Sequence, residues 1–197
     1  MNHVLAVDLA WTGVSGWCLW NEEDSHNPLL TWGEFSPKGG RNIGETADIL
    51  YTLFRHLLDE IYQSYGEVAI VYEGTDWFQP LPGWHDDDDR QRYARERVAQ
   101  KSLGQAEAIF CFACYHSRMT PQPTRLGVAE ARRKFGAKDK EDVVRVLLME
   151  YPQIFAKPGR GWLRHKSSQL LLSDHIADAI VLAKVHARET ALQERIK

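Results

Sequence analysis

Hydrophobic and polar positions change period several times along the chain, and each change marks an element. Val4-Leu-Ala-Val-Asp-Leu9 is an apolar run broken by one carboxylate; Gly13 and Gly16 follow, and Trp17-Cys-Leu-Trp20 resumes an extended pattern. This arrangement predicts a hairpin of two strands. A third strand is expected over Leu30–Phe35, closed by Ser36-Pro-Lys-Gly-Gly40. From Ile43 to Tyr65 the period lengthens. Ala47, Leu50, Leu53, Phe54, Leu57, Leu58, Ile61 and Tyr62 recur at helical spacing, so one long amphipathic helix is expected. Val68-Ala-Ile-Val-Tyr-Glu73 is a short β-rich run after that helix, as expected of a buried strand parallel to the first.

Beyond Glu73 the pattern loosens. Asp76–Gln91 contains Pro80, Pro82 and Gly83, two tryptophans and the acid run Asp86–Asp89, and predicts a long irregular loop. Tyr93–His116 reads as a second long helix, interrupted by Gly104, and Gln122–Leu126 as a further short strand. Two helices are expected at Val128–Phe135 and Lys140–Tyr151, parted by a turn at Gly136, with another loop over Pro152–Ser168. Ser173 is placed to cap a final helix from Asp174 to about Arg195, with an inward stripe of Ile176, Ile180, Ala183 and Ala187. Strands alternating with helices predict an α/β layer.

Composition narrows this picture. With 197 residues, 44% hydrophobic and 26% charged, the chain suits one globular domain spanning residues 1–197. No run approaches the roughly 20 apolar residues of a membrane span, and Met1–Val7 leads into a strand without a cleavable signal pattern, so a soluble, cytoplasmic protein with no membrane partner is expected. Cys111-Phe-Ala-Cys114 has ligand spacing but lies in an apolar helical run with no second pair to complete a zinc site. Core residues are the better reading for it. The net charge of −3 does not advertise a nucleic-acid binder. Four of the acids are consecutive, however, and basic residues gather at Arg90–Lys101, at Arg132, Arg133, Lys134, Lys138 and Lys140, and at Arg160–Lys166.

Three acids stand out against their surroundings. Asp8 lies within the first strand, where a charge is costly to bury unless a partner or metal neutralises it. Glu73 ends the later strand, and acids at strand ends of an α/β sheet tend to meet on one rim. Asp178 sits amid Ile176, Ala177, Ala179 and Ile180, so a metal or a buried basic partner is required. His175 lies three residues before it and therefore on the same helix face. Asp174, one turn before Asp178, is explained as a first-turn carboxylate favoured by the helix dipole. Asp8, Glu73 and Asp178 supply hard oxygen ligands suited to magnesium or manganese, and His175 would add a preference for manganese.

Taken together these segments resemble the RuvC branch of the RNase H-like superfamily. The resemblance rests on Val4-Leu-Ala-Val-Asp-Leu-Ala-Trp-Thr-Gly-Val-Ser-Gly16, on Val71-Tyr-Glu-Gly74, on Leu103-Gly-Gln-Ala106 and on His175-Ile-Ala-Asp-Ala179, in order along nearly the whole chain. It implies an RNase H-like α/β fold with a mixed central sheet flanked by helices. It further implies Asp8, Glu73, His175 and Asp178 as a metal-binding catalytic set, with Mg2+ or Mn2+ at two ions per active site. Gly136-Ala-Lys-Asp-Lys-Glu-Asp-Val143 looks like the family segment bearing a basic residue important for activity, here Lys140. The implied partners are four-way junction DNA and a second copy of the chain, with the second long helix as interface.

For DNA contact, Arg132, Arg133, Lys138 and Lys140 are the expected phosphate ligands, and Trp77 or Phe78 the aromatic wedge into the junction. Two departures from the family pattern bear on specificity: Asp8-Leu-Ala10 replaces Asp-Pro-Gly, and the loop after Glu73 is longer and acidic. Rival readings are a nuclease for flaps, other branched DNA or RNA–DNA hybrids, and a non-catalytic nucleic-acid-binding module. A sugar-kinase-like ATPase half also begins with an Asp-bearing strand and glycine turn, but its phosphate-binding repeats are not evident.

Overall fold

A computed structural model describes residues 3–24, 26–74, 87–119, 122–150 and 173–196. Within them the strands are β1 (His3–Asp8), β2 (Ser15–Asn21), β3 (Leu29–Phe35), β4 (Ala69–Glu73) and β5 (Thr124–Leu126). The helices are α1 (Ile43–Tyr65), α2 (Asp87–Tyr115), α3 (Val128–Phe135), α4 (Lys140–Glu150) and α5 (Asp174–Ile196). The five strands form one mixed sheet in the order β3-β2-β1-β4-β5. β1–β2 and β2–β3 are antiparallel, as the glycine-punctuated hairpin predicts, whereas β4 is parallel to both β1 and β5.

Alternation along the central strands separates two cores. Leu5, Val7, Leu19, Ile70 and Tyr72 pack with Leu50, Phe54, Leu57 and Leu58 of α1 and with Ala106 and Phe110 of α2. On the opposite face Val4, Ala6, Cys18, Trp20 and Val71 pack with Ala131 and Phe135 of α3, Val143 and Leu147 of α4, and much of α5. Burial on both faces explains why β1 and β4 read as nearly continuous apolar runs. Cys114 is buried in the first of these cores and Cys111 packs against it partly buried, in line with the reading of that pair as core residues; Cys18 is buried on the opposite face.

Two expectations need correction. The irregular segment after Glu73 does not reach Gln91: α2 begins at Asp87, six residues earlier than the apolar pattern suggests. Three of the four consecutive aspartates therefore occupy its first turn, where the positive end of the helix dipole favours negative charge. The single inward stripe expected of α5 is also too narrow. Every residue from Ile176 to Val185 is buried, Lys184 included, because the helix lies between the sheet and the α3–α4 pair. No helix among the described residues is long and apolar enough to cross a membrane.

The start of α5 is secured by Ser173, whose hydroxyl accepts from the Ile176 amide at 3.2 Å. Ser173→Ala is expected to cost about 1 kcal/mol. A thermal melt should then fall by roughly 2–4 °C for a chain of this size.

Candidate active site

Strand pairing brings the first two acids together. Val7 pairs with Tyr72 across parallel β1 and β4, so the next residues, Asp8 and Glu73, end neighbouring strands at one edge. Alternation assigns Tyr72 to the α1–α2 face and places Glu73 and Asp8 on the face covered by α5. The N-terminus of α5 crosses this edge over Gly16, the partner of Asp8 on β2. A Cβ at Gly16 would come within 2.4 Å of the His175 carbonyl carbon and 2.5 Å of its oxygen, so glycine is what allows the helix to lie this close. His175 Nδ1 is thereby set 2.8 Å from Asp8 Oδ2.

The electrostatics of the cluster are strained. Burial pushes Asp8 up to about 6, with the Asp178 charge adding to the rise, while a hydrogen bond from Glu73 and the Lys140 and Arg132 charges pull it down. Glu73 is pushed up to about 10, first by burial, then by its hydrogen bond to Asp8 and repulsion from Asp8 and Asp178, against the opposing Arg132 charge. Both carboxyls are thus held above their ordinary range, and the pair keeps a proton to higher pH than free carboxyls do. Two carboxylates at close range in a site largely removed from water resist ionising together and titrate as a pair.

Asp178 meets the other half of the sequence expectation, a buried basic partner. Its carboxylate is only 4% exposed and is gripped by Arg132, whose Nε and Nη2 donate to Oδ1 at 3.1 and 2.9 Å and whose Nη2 donates to Oδ2 at 2.7 Å. Lys140 Nζ stands 3.6 Å from Oδ2. Arg132 is therefore not a free surface cation beside its neighbours, as the sequence suggested. A buried carboxylate needs a compensating charge, and α3 packs against α5 so as to supply one.

Arg133, Lys138 and Lys140 are exposed. Arg133 and Lys138 join Arg132, Ala129, Gly136 and Ala137 around an open surface depression of about 570 Å³. Trp77, Phe78, Asp86 and the Pro152–Ser168 segment lie outside the described residues. Sequence reasoning missed Glu34, which stands opposite Gly16 on β3. Its Oε1 is buried and, among the described residues, has no hydrogen-bond partner. The available signal was the one that singled out Asp8, an acid inside an apolar strand.

Among the described residues, no group of three or more His, Cys, Asp and Glu side chains is arranged to hold a metal as it stands. Asp8 engages His175 and Glu73, and Asp178 engages Arg132. The donor chemistry nevertheless suits a hard divalent cation, since a cation held by Asp8 and Glu73 would offset the repulsion and burial that raise both carboxyls.

The sheet order, the parallel β1–β4 pair and the helix crossing its edge define an α/β protein of the RNase H-like class, with a RuvC-like fold. Thermus thermophilus RuvC in complex with a Holliday junction substrate is similar with a TM-score of 0.65 at 13% identity, covering 98% of this chain and 97% of that one. A second T. thermophilus RuvC structure gives 0.62 at 14% identity, over 97% and 96% of the two chains. The yeast mitochondrial Holliday junction resolvase Ydc2 gives 0.56 at 13% identity, over 98% and 80%. No family model and no curated protein matches the chain by sequence.

Proposed function

We propose that this chain is a metal-dependent endonuclease of branched DNA that resolves four-way junctions by paired symmetric nicks. The observation that carries the reading is the assembly of Asp8, Glu73, His175 and Asp178 at one sheet edge of a RuvC-like fold. Residues 1–197 would act as one nuclease domain. Two such chains would supply the two active sites that symmetric cleavage needs, with α2 as the interface. Exposed Val98, Phe112 and Tyr115 on α2 support that assignment.

Asp8, Glu73 and Asp178 would hold Mg2+ or Mn2+, two ions per site, with His175 as a further ligand or as the group that orients the attacking water. When bound, the metal supplies an activated water and charge stabilisation at the leaving oxygen of a phosphodiester. Asp8 fixes the His175 ring through Nδ1, which leaves Nε2 to exchange a proton with water. The His175 side chain is 35% exposed, so solvent can reach it. Arg133, Lys138 and Lys140 would bind backbone phosphates and position the strand for in-line attack. Trp77 or Phe78 would wedge into the junction.

The test is cleavage of labelled four-way junction, flap and linear duplex DNA with Mg2+, Mn2+ or chelator, by wild type and Asp8→Asn. Paired symmetric nicks confined to the junction, lost with chelator or with Asp8→Asn, are the expected result. Flap-selective cutting would replace the resolvase reading with that of another structure-specific nuclease. Folded protein that binds DNA and cuts nothing would overturn the enzymatic reading.

A further inference from the structure

Both oxygens of Asp178 are already taken. Arg132 grips them as a fork, and Lys140 stands beside Oδ2, so the lone pairs that a metal would need face positive charge. The two members of the pair differ in access: the Asp178 side chain is 4% exposed and that of Arg132 is 20% exposed. Arg132 also lines the depression that Arg133 and Lys138 share. One guanidinium thus stands between a buried carboxylate and a cationic surface of the kind that attracts a phosphate.

Withdrawing Arg132 alone would leave the buried Asp178 carboxylate without its hydrogen bonds and with only the Lys140 ammonium 3.6 Å away, which is unfavourable. A paired exchange avoids that cost. If a DNA phosphate takes Arg132 while a divalent cation takes Asp178, every charge keeps a partner. We propose that Arg132 is a latch: in DNA-free protein it neutralises Asp178 and holds off the metal, and a backbone phosphate in the Arg132–Arg133–Lys138 depression draws it away. Metal and DNA then bind cooperatively, and each must strengthen the other by the same factor. The inference rests on the reading of Asp178 as a metal ligand and adds a means of keeping the metal site unassembled until DNA arrives.

The test is Mn2+ binding by wild type, Arg132→Gln, Arg132→Lys, Arg133→Gln and Asp8→Asn. Binding is followed by electron paramagnetic resonance with and without linear duplex DNA, and thermal melts establish that each variant is folded. DNA alone, and Asp8→Asn with DNA, set the baseline for ions held by the nucleic acid. Duplex should tighten Mn2+ binding to wild type by a factor within the usual coupling range of about 5- to 150-fold. Arg132→Gln should bind Mn2+ tightly without DNA and lose that increment, whereas Arg133→Gln keeps it. Arg132→Lys retains the charge but not the fork, and should fall between. Should Arg132→Gln fail to fold, the wild-type increment and the lysine variant decide.

If Mn2+ binding depends on Asp8 but wild type shows no DNA increment, or Arg132→Gln matches wild type in both states, the latch is wrong and the metal reading stands. Mn2+ binding that is absent throughout, or unaffected by Asp8→Asn, overturns both.

Discussion

Gly16→Ala is expected to disable the site and destabilise the protein together. The new methyl group would sit 2.4 Å from the backbone carbon of His175 and 2.7 Å from its Cβ, and neither atom belongs to a flexible side-chain end that could swing away. Relief requires α5 to move off β2, which shifts His175 and Asp178 relative to Asp8. Overpacking of this kind costs about 1–3 kcal/mol or more. The melting temperature should then fall by roughly 2–12 °C, at about 2–4 °C per kcal/mol for a chain of this length. A displacement near 1 Å at the reacting groups lowers turnover by about 100-fold. Calorimetry and junction cleavage read the two effects. A variant with wild-type melting and turnover would contradict the close approach of α5 to the sheet.

Asp8→Asn should act in opposite directions on stability and activity. In metal-free protein Asp8 and Glu73 are both pushed above ordinary carboxyl values, mainly by burial, so the folded state keeps protons that the unfolded chain releases. Such groups favour the fold at low pH. Their contribution fades as pH rises above the unfolded carboxyl range, through about 6 for Asp8 and onward to about 10 for Glu73. Wild type without metal should therefore melt at lower temperature at pH 8 than at pH 5. Asp8→Asn should flatten that decline and raise stability at pH 8 by something on the order of 1–3 kcal/mol, since one pKa unit corresponds to about 1.4 kcal/mol. Mn2+ at concentrations well above those that suffice with DNA present, high enough to displace Arg132 from Asp178, should raise the melting temperature of wild type but not of the variant, because only a ligand that binds the folded state stabilises it. Cleavage by the variant should drop about 1000-fold or more, corresponding to loss of about 4 kcal/mol of transition-state stabilisation. A variant less stable than wild type at pH 8 without metal would mean that Asp8 is a net stabilising partner of His175 and not a group strained by its neighbours.

The candidate site was legible to the extent that its members are out of place in their own segments. Asp8 within an apolar strand, Glu73 at the end of another and Asp178 among alanines and isoleucines each break a local pattern; strand pairing sets the first two side by side, and α5 brings Asp178 near them. Glu34 breaks a pattern in the same way, but β3 is only partly buried and its alternation is weaker, so the acid there looked like ordinary surface. The start of α2 was misplaced because the apolar period begins later than the helix. Its first residues are Asp87-Asp-Asp-Arg90, which a hydrophobic template does not register. Lys184 was passed over for the converse reason. Apart from Asp178, its neighbours from Ile176 to Val185 are apolar all round, the mark of a helix covered on every side, and the lysine is accommodated by pairing with Glu150 of α4.

By itself the sequence determined the elements, the two-faced burial of the central strands and the identity of the misplaced acids, because periodicity and local polarity act over a few residues and survive without knowledge of the rest of the chain. The tertiary structure alone decided which base answers Asp178, how closely α5 approaches Gly16, and that Asp8 and Glu73 crowd each other where burial raises both. Those outcomes depend on side chains far apart in sequence meeting where little water remains to screen them, and there a few ångströms decide whether a charge is paired, repelled or left waiting for a ligand.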